Sequence, residues 1–378
     1  MSKLLCLCGL VAAAGVLQAQ QVTVLASGLK NPTKIIRTSS GSLLVTETDT
    51  APNSGRVTRV SSGGGVHAII DGLPSGLSAP SLDPDGPSGL ILAGQVLYVE
   101  IGEGDGFANG PQQGQLVPNP KGISSPIFAS ILKFTLSTDV DNVTGTFTLT
   151  AQNQSDLSLG NTVNLSDGNG NTATCEMLAQ FRPGVPDPNT IWRNSHPYAM
   201  TSLDSQPGMI YVADAGRNVV WQVNTASGKS KALTQFAPTP DPVQGPPVIE
   251  PVPDSIKTYS GGLLVTLLSG APFVNGQSRV VAVDPVTGQQ NLFIAVLSSA
   301  IDVDYVPQGA NRPIFYVLQY SNSLTTGGPG QLLRYDTEAG KVYVDNLKGP
   351  SSLVTDPVTG TVYVAERSGG DILMVTPQ

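Results

Sequence analysis

The chain predicts an all-β, six-bladed β-propeller, on the evidence of a recurring phrase, its spacing and a turn-rich composition. The phrase appears as Leu44-Val45-Thr46-Glu47, Tyr98-Val99-Glu100-Ile101, Tyr211-Val212-Ala213-Asp214, Leu264-Val265-Thr266-Leu267, Tyr316-Val317-Leu318-Gln319 and Tyr363-Val364-Ala365-Glu366. Its closing residues step by 54, 113, 53, 52 and 47 positions, near the length of a four-stranded blade at every step but one. With 42 Gly and 30 Pro the chain is dense in turn formers, while 40% apolar and 13% charged residues leave enough apolar surface for a large core. Runs of Val, Ile, Leu, Thr and Tyr recur between turn residues, and no long 3.6-residue period follows the N-terminus. Because the repeat runs from end to end, the 378 residues are read as one closed unit.

The elements follow in order. Residues 1–19 read as a signal peptide: Lys3 gives a positive start, Leu4 to Leu17 an apolar stretch and Ala19 a small residue before the cut. Cys6 and Cys8 fall inside it, so Cys175 remains alone in the mature chain and has no disulfide partner. That pattern predicts an exported bacterial protein, periplasmic or extracellular, stabilised by burial. No other stretch reaches the ~18 apolar residues of a membrane span, and a monomer with no transmembrane anchor after signal cleavage is expected. Residues 20–378 then form the propeller, with blades at about 27–72, 73–185, 186–238, 239–297, 298–347 and 348–378.

Blade 1 reads as strands Pro32 to Thr38, Leu43 to Glu47, Arg56 to Val60 and Val66 to Ile70; blades 3 and 4 repeat the pattern from Pro197 and Ser255. The turn words Asp284-Pro285-Val286-Thr287-Gly288 return as Asp356-Pro357-Val358-Thr359-Gly360. Blade 6 supplies only three strands before the chain stops, whereas Gln21 to Leu29 resembles the outer-strand phrase His67 to Leu73. The N-terminal segment, residues 20–26, is therefore expected to complete the last blade and remove a radial edge. The long second step carries an insertion near 102–177, with a Gly/Pro-rich loop from Gly102 to Pro126 and a hairpin from Thr162 to Met177 around Asp167-Gly168-Asn169-Gly170-Asn171. That run resembles a calcium loop but has Thr172 and Leu178 where such a loop needs Gly and Glu, so it is read as an ordinary turn.

The phrases Gln21 to Leu29 with Asn31-Pro32, His196-Pro197-Tyr198-Ala199-Met200, Val212 to Asn218 and Gly270-Ala271-Pro272-Phe273 before Arg279-Val280 resemble the ScyD/ScyE family of exported bacterial NHL-like propellers. The resemblance covers nearly the whole mature chain. It implies an exported six-bladed propeller and brings no agreed activity. His196 departs from it, standing where the family usually has Asn, and the blade 2 insertion is longer than usual.

A formal charge of −8 without any Lys/Arg cluster excludes nucleic acid and anionic lipid as partners. It leaves a small molecule, a glycan or a protein. In a propeller the first strand of each blade starts, and the second ends, on the face where the channel opens. Candidate site residues at that mouth are therefore the phrase-closing set Glu47, Ile101, Asp214, Leu267, Gln319 and Glu366, and the inner-strand set Asn31, Lys34, His196, Tyr198, Asp254, Asp302 and Ser351. Two readings of the acids stay open. Glu47, Asp214 and Glu366 are candidate ligands for calcium or another divalent cation, or each accepts backbone N–H groups of a nearby loop.

Two histidines limit the catalytic options. His67 lies on an outer strand and reads as structural; His196 stands near Tyr198 at the expected mouth. No Gly-x-Ser-x-Gly elbow is present, and Cys175 has no neighbouring base. The expected function is a binding or interaction module, with no catalytic residue assigned. The alternative is a metal-dependent, lactonase-like hydrolase, by similarity to the gluconolactonase family, whose cation sits at inner-strand starts. The corresponding residues here are Thr33, Ser88, Tyr198, Asp254, Ile301 and Ser351, of which one is an acid. A quinoprotein sugar dehydrogenase fits less well, since its catalytic His and basic cofactor contacts have no clear counterparts.

Overall fold

The computed structural model describes residues 20–112, 116–181, 194–242 and 248–377; residues 1–19, the expected signal peptide, and the expected blade 2–3 boundary near 185 lie outside them. The six repeats form six antiparallel sheets. Blade 1 is built from Pro32–Arg37, Leu43–Glu47, Gly55–Val60 and Val66–Leu73, and blade 2 from Pro87–Ala93, Val96–Ile101, Ser130–Leu136 and Thr172–Gln180. Pro197–Ser202, Met209–Asp214, Val219–Asn224 and Ser230–Gln235 make blade 3; Pro253–Tyr259, Gly262–Leu267, Ser278–Val283 and Gln290–Leu297 make blade 4. Blade 5 comprises Ala300–Gln308, Asn311–Gln319, Gly330–Tyr335 and Lys341–Leu347.

Blade 6 takes Pro350–Thr355, Val362–Glu366 and Asp371–Thr376 from the C-terminus and its outer strand, Gln21–Ala26, from the N-terminus. The two ends pair antiparallel, Gln21 against Thr376 and Val24 against Leu373, with a bulge before Ala26. Across this seam Ala26, Leu29, Ile35, Leu43, Val45, Val60, Ala365 and Ile372 form one buried cluster shared by blades 6 and 1. Ser351 Oγ donates to the Pro32 carbonyl at 2.6 Å, and Ile35 N–H to Ser352 Oγ at 3.3 Å.

In each blade the start of the first strand lies opposite the end of the second: Pro32 faces Glu47, Pro87 Ile101, Pro197 Asp214, Pro253 Leu267, Ala300 Gln319 and Pro350 Glu366. A register shift follows immediately in every blade. The bulge leaves inner-strand N–H groups without a ladder partner, and the penultimate residue of the second strand meets some of them. Thr46 accepts from Lys34 N–H, Thr266 from Ser255 N–H and Glu100 from Gly89 N–H, all at 3.0 Å. Gly89 is required there, because a Cβ would collide with the Glu100 carboxyl and the Met200 amide.

The insertion is only partly what its sequence suggests. Its hairpin exists, with Val163–Ser166 against Thr172–Gln180, but the second strand is blade 2's own outer strand. Asp167 accepts the Asn169 and Asn171 N–H groups, as an ordinary turn does. The sequence reading missed a short helix, Ala151–Ser158, opened by a Thr150/Asn153 capping box. Phe147–Thr148 pairs in parallel with Ile70 and Asp71, and Gln154 donates to the Gly72 carbonyl, so the insertion covers the outer edge of blade 1. Cys175 is fully buried in that core, where burial pushes its thiol up, out of reach of reaction. His67 lies 2.9 Å from the Gly145 carbonyl, a structural contact.

Deleting residues 21–26 opens the ring, and the loss of one ladder and the exposure of the seam cluster should cost several kcal/mol. Denaturant melts of the chain from residue 20 with and without residues 21–26 would measure it; equal midpoints would show that the seam does not hold the ring.

Candidate functional site

The three acids that close the repeated phrase are engaged by their own blades. Glu47 accepts the Lys30 N–H at 2.5 Å and the Thr58 hydroxyl, with Arg56 Nε at 3.8 Å. Asp214 accepts the His196 N–H at 2.9 Å, the Arg217 N–H at 3.1 Å, the Trp221 Nε1–H at 2.9 Å and the Ser195 hydroxyl. Glu366 accepts the Lys348 N–H at 2.6 Å, and Gln319 Oε1 the Ser298 N–H at 2.7 Å. Most of these donors belong to the loop that leads into the blade. Blades 2 and 4 close on Ile101 and Leu267, which cannot accept; there Asp85 takes the Gly86 and Gly104 N–H groups, and Asn218 Oδ1 the Val252 N–H. Among the described residues no three His, Cys, Asp or Glu side chains are grouped to hold a metal, so Glu47, Asp214 and Glu366 are not brought together.

What converges at the mouth is a different set. Lys34, from the blade 1 inner strand, reaches across the channel to the Asp254 carboxylate at 3.2 Å and the Asp254 carbonyl at 2.8 Å. Its ammonium lies 4.5 Å from the centre of the Tyr198 ring, a cation–π contact in a buried setting. Tyr198 meets His196 edge-on, ring centres 5.3 Å apart. Above them Asp83, Tyr198, Asp254, Phe273, Tyr320 and Arg367 surround a 240 Å³ pocket. Arg367 donates to the Pro84 carbonyl and so ties blade 6 to the small hairpin Gly76–Ser78/Asp83–Asp85 beside the mouth.

His196 is held between two acids of blade 2, Asp85 at 3.4 Å from Nε2 and Glu103 at 3.7 Å from Nδ1. Burial alone would lower the imidazolium, but Asp85 and Glu103 outweigh it and hold its pKa at about 10. The same pairing overcomes burial at Asp85 and keeps that carboxyl below its usual value. Gly102 stands where a Cβ would strike the Asp85 carboxylate. Asp302, placed at the mouth by sequence, lies instead inside the channel wall, accepting the Ser352 hydroxyl at 2.8 Å and the Leu353 N–H at 2.9 Å.

Glu100 is a functional-site neighbour the repeat concealed, being the penultimate and not the closing residue. Burial raises its pKa to about 8 against the opposing bonds from Gly89 and Ser88. Asp83, Asp85, Glu103, Phe273, Tyr320 and Arg367 were likewise missed. Arg367 and the Asp83-Pro84-Asp85 words flank repeat positions, which is the signal that could have found them.

No family model matches the chain, and no curated protein matches it. Solved structures do. The soluble aldose sugar dehydrogenase of Escherichia coli in its apo form is similar at 11% identity, over 95% of this chain and 100% of that one, with a TM-score of 0.51. The holo pyranose dehydrogenase PQQ domain of Coprinopsis cinerea is similar at 11% identity, 95% coverage of both chains and a TM-score of 0.51. A Bacteroides thetaiotaomicron protein of unknown function is similar at 13% identity, over 95% of this chain and 76% of that one, with a TM-score of 0.51. These likenesses show the fold alone, a six-bladed β-propeller.

Two pH signatures follow. The imidazolium of His196 stabilises the fold fully below pH 6.5, and that contribution fades as pH rises through about 10; 15N NMR should show both ring N–H groups retained at pH 8. Glu100 is favoured in its neutral form, so its contribution is complete below pH 4.5 and is lost as pH rises through about 8. Glu100→Gln should remove that loss, on the order of a few kcal/mol, in melts run across this range.

Proposed function

We propose that the protein is an exported binding module whose mouth pocket receives a small polar molecule or the exposed end of a larger one, glycan or protein. One observation carries the reading: the mouth offers a shaped, partly aromatic pocket whose Asp254 is paired with Lys34 and whose Arg367 is bonded to the Pro84 carbonyl. Its 240 Å³ lies below the ~300–1,000 Å³ of pockets that engulf a whole drug-sized ligand, which suits a small group or a terminus. Phe273 and Tyr320 are exposed at 38% and 39%, large aromatic surfaces available for stacking. Phe273 is held at φ +59°, a left-handed conformation uncommon for a bulky side chain and the kind of local strain that clusters at ligand sites.

His196 is not a general base at neutral pH. His196 already carries its proton at neutral pH, and an imidazolium cannot accept another. Glu47, Asp214 and Glu366 each accept an amide of the loop that leads into the blade. Membership of the ScyD/ScyE family, export and a monomeric state belong to the same proposal, supported by the quoted phrases and by the leader residues Lys3 to Ala19. No helix among the described residues is long and apolar enough to cross a membrane.

A thermal-shift screen of small metabolites and glycans should find a stabilising ligand, and Phe273→Ala and Tyr320→Ala should weaken it about tenfold without moving the melting temperature. Glu366→Ala should instead cost about 1–3 kcal/mol of stability by stranding the Lys348 amide. Lactone hydrolysis that is abolished by chelator and by Glu47→Ala would overturn the proposal in favour of a metal-dependent hydrolase. N-terminal sequencing of the exported protein should begin near Gln20.

A further inference from the structure

Three charged side chains line the mouth pocket: Asp83, Asp254 and Arg367. Asp254 is answered by Lys34, and this pair separates the pocket from a 610 Å³ cavity further down the channel. The other two are not answered. The Asp83 carboxylate is exposed and, among the described residues, takes part in no hydrogen bond or ion pair. Arg367 donates one N–H to the Pro84 carbonyl and forms no ion pair among the described residues, so most of its five donors stay available. Tyr198 shares this lining, and its hydroxyl makes no hydrogen bond within the described residues. Burial raises its pKa, which keeps the phenol proton in place as a further donor.

The two open charges are held near one another. Asp83 and Asp85 stand two positions apart on one short strand and so share a face; on that face the Asp85 carboxylate reaches His196 at the mouth. Arg367 is bonded to the backbone of Pro84, the residue that follows Asp83. Consecutive Cα atoms lie about 3.8 Å apart, so Asp83 begins within roughly 10 Å of the guanidinium, yet the two do not pair. A small dipolar ion with a charge-assisted bond of about 2.7–2.9 Å at each end bridges such a gap. Beside it Leu268, Phe273, Ile301, Tyr320 and Leu324 supply apolar wall.

From this juxtaposition of an unpaired guanidinium, an unpaired carboxylate and an apolar wall in one pocket, we propose that the mouth receives a free apolar α-amino acid, of the leucine or phenylalanine type, as its zwitterion. The assignment rests on the reading of the mouth as a binding site and names the ligand class. Arg367 takes the carboxylate, a group its planar fork of donors matches, with the Tyr198 hydroxyl as a second donor; Asp83 takes the ammonium. Charge balance selects this class. Lys34 cancels Asp254, which leaves one open positive and one open negative charge in the lining. A simple anion would lie beside Asp83 and a simple cation beside Arg367, and each mismatch counts against binding. At ~30 Å³ per water molecule, 240 Å³ holds on the order of ten non-hydrogen atoms, the size of one amino acid. Water already solvates the exposed Asp83, so Arg367 carries the larger share of the recognition.

The test is calorimetric titration of the chain from residue 20, which holds every described strand, with L-leucine and L-phenylalanine to about 10 mM. N-acetyl-L-leucine and L-leucinamide, each lacking one of the two charges, serve as the comparison. At least one amino acid should bind saturably and both derivatives more weakly. Arg367→Gln should weaken the amino acid about tenfold and leave the weaker binding of leucinamide unchanged, whereas Asp83→Asn should weaken it about threefold and leave N-acetyl-leucine unchanged. A structural role for either residue would not sort the ligands by their missing charge. Absence of saturable binding by both amino acids, derivatives that bind as tightly as leucine, or binding indifferent to both variants overturns the proposal. Should Arg367→Gln fail to fold for want of its tie to Pro84, Asp83→Asn and the two derivatives decide. A ligand of another class that is weakened by Phe273→Ala, with both amino acids silent, overturns the zwitterion and leaves the mouth as the binding site; silence of the whole metabolite and glycan screen overturns both.

Discussion

Pairing of Gln21–Ala26 with Asp371–Thr376 is the constraint on which the molecule depends. A propeller blade is a sheet with two faces, and each face is buried only if another blade stands against it. One open seam would expose the cluster shared by blades 6 and 1. It would also unseat the inner strands of both, since Ser351 and Ser352 bond directly to blade 1. The channel is then a consequence of closure: six inner strands at fixed radius leave a space whose lining is set by which residue each blade sends inward.

The start of each inner strand is fixed by a second, local device. A bulge follows each strand start, and a side chain at the end of the neighbouring strand secures the lead-in loop. Glu47, Asp214, Gln319 and Glu366 do this directly. Where the repeat closes on Ile101 or Leu267, the loop's own Asp85 or the preceding blade's Asn218 substitutes. Carboxylates bonded to backbone amides are strong anchors, and the same bonding leaves little capacity for a cation. Their concentration at the mouth is thus a property of how blades are built.

Lys34 decides the character of the channel. Its reach to Asp254, on the opposite side of the ring, with Tyr198 packed beneath the ammonium, separates a small mouth pocket from the larger cavity behind it. Removal of the charge from one partner would strand the other in a buried setting, where an unpaired ion is costly. The pair therefore makes two compartments of what topology alone would leave as one tube, and the two differ in lining: aromatic and acid-rimmed at the mouth, mixed polar and apolar below.

Sequence determined the blade count, the second strands almost to the residue, the N-terminal strand's role and the face on which Glu47, Asp214 and Glu366 lie. Each follows from period-2 patterning and turn chemistry, which are local, or from repetition, which makes a local pattern global. His196, Tyr198, Lys34 and Asp254 were legible as candidates because they occupy repeat positions. Their partners were not. Asp85 meets His196, Lys34 meets Asp254, and Arg367 meets the hairpin beside the mouth only through ring geometry, across separations that no period relates. The helix Ala151–Ser158 was hidden because its stability comes from the edge of blade 1 and from Leu157 in the core, with little apolar periodicity of its own. Whether Asp302 faces the mouth or the wall was settled by a one-residue bulge, since a strand that slips by one position turns every side chain to the other face.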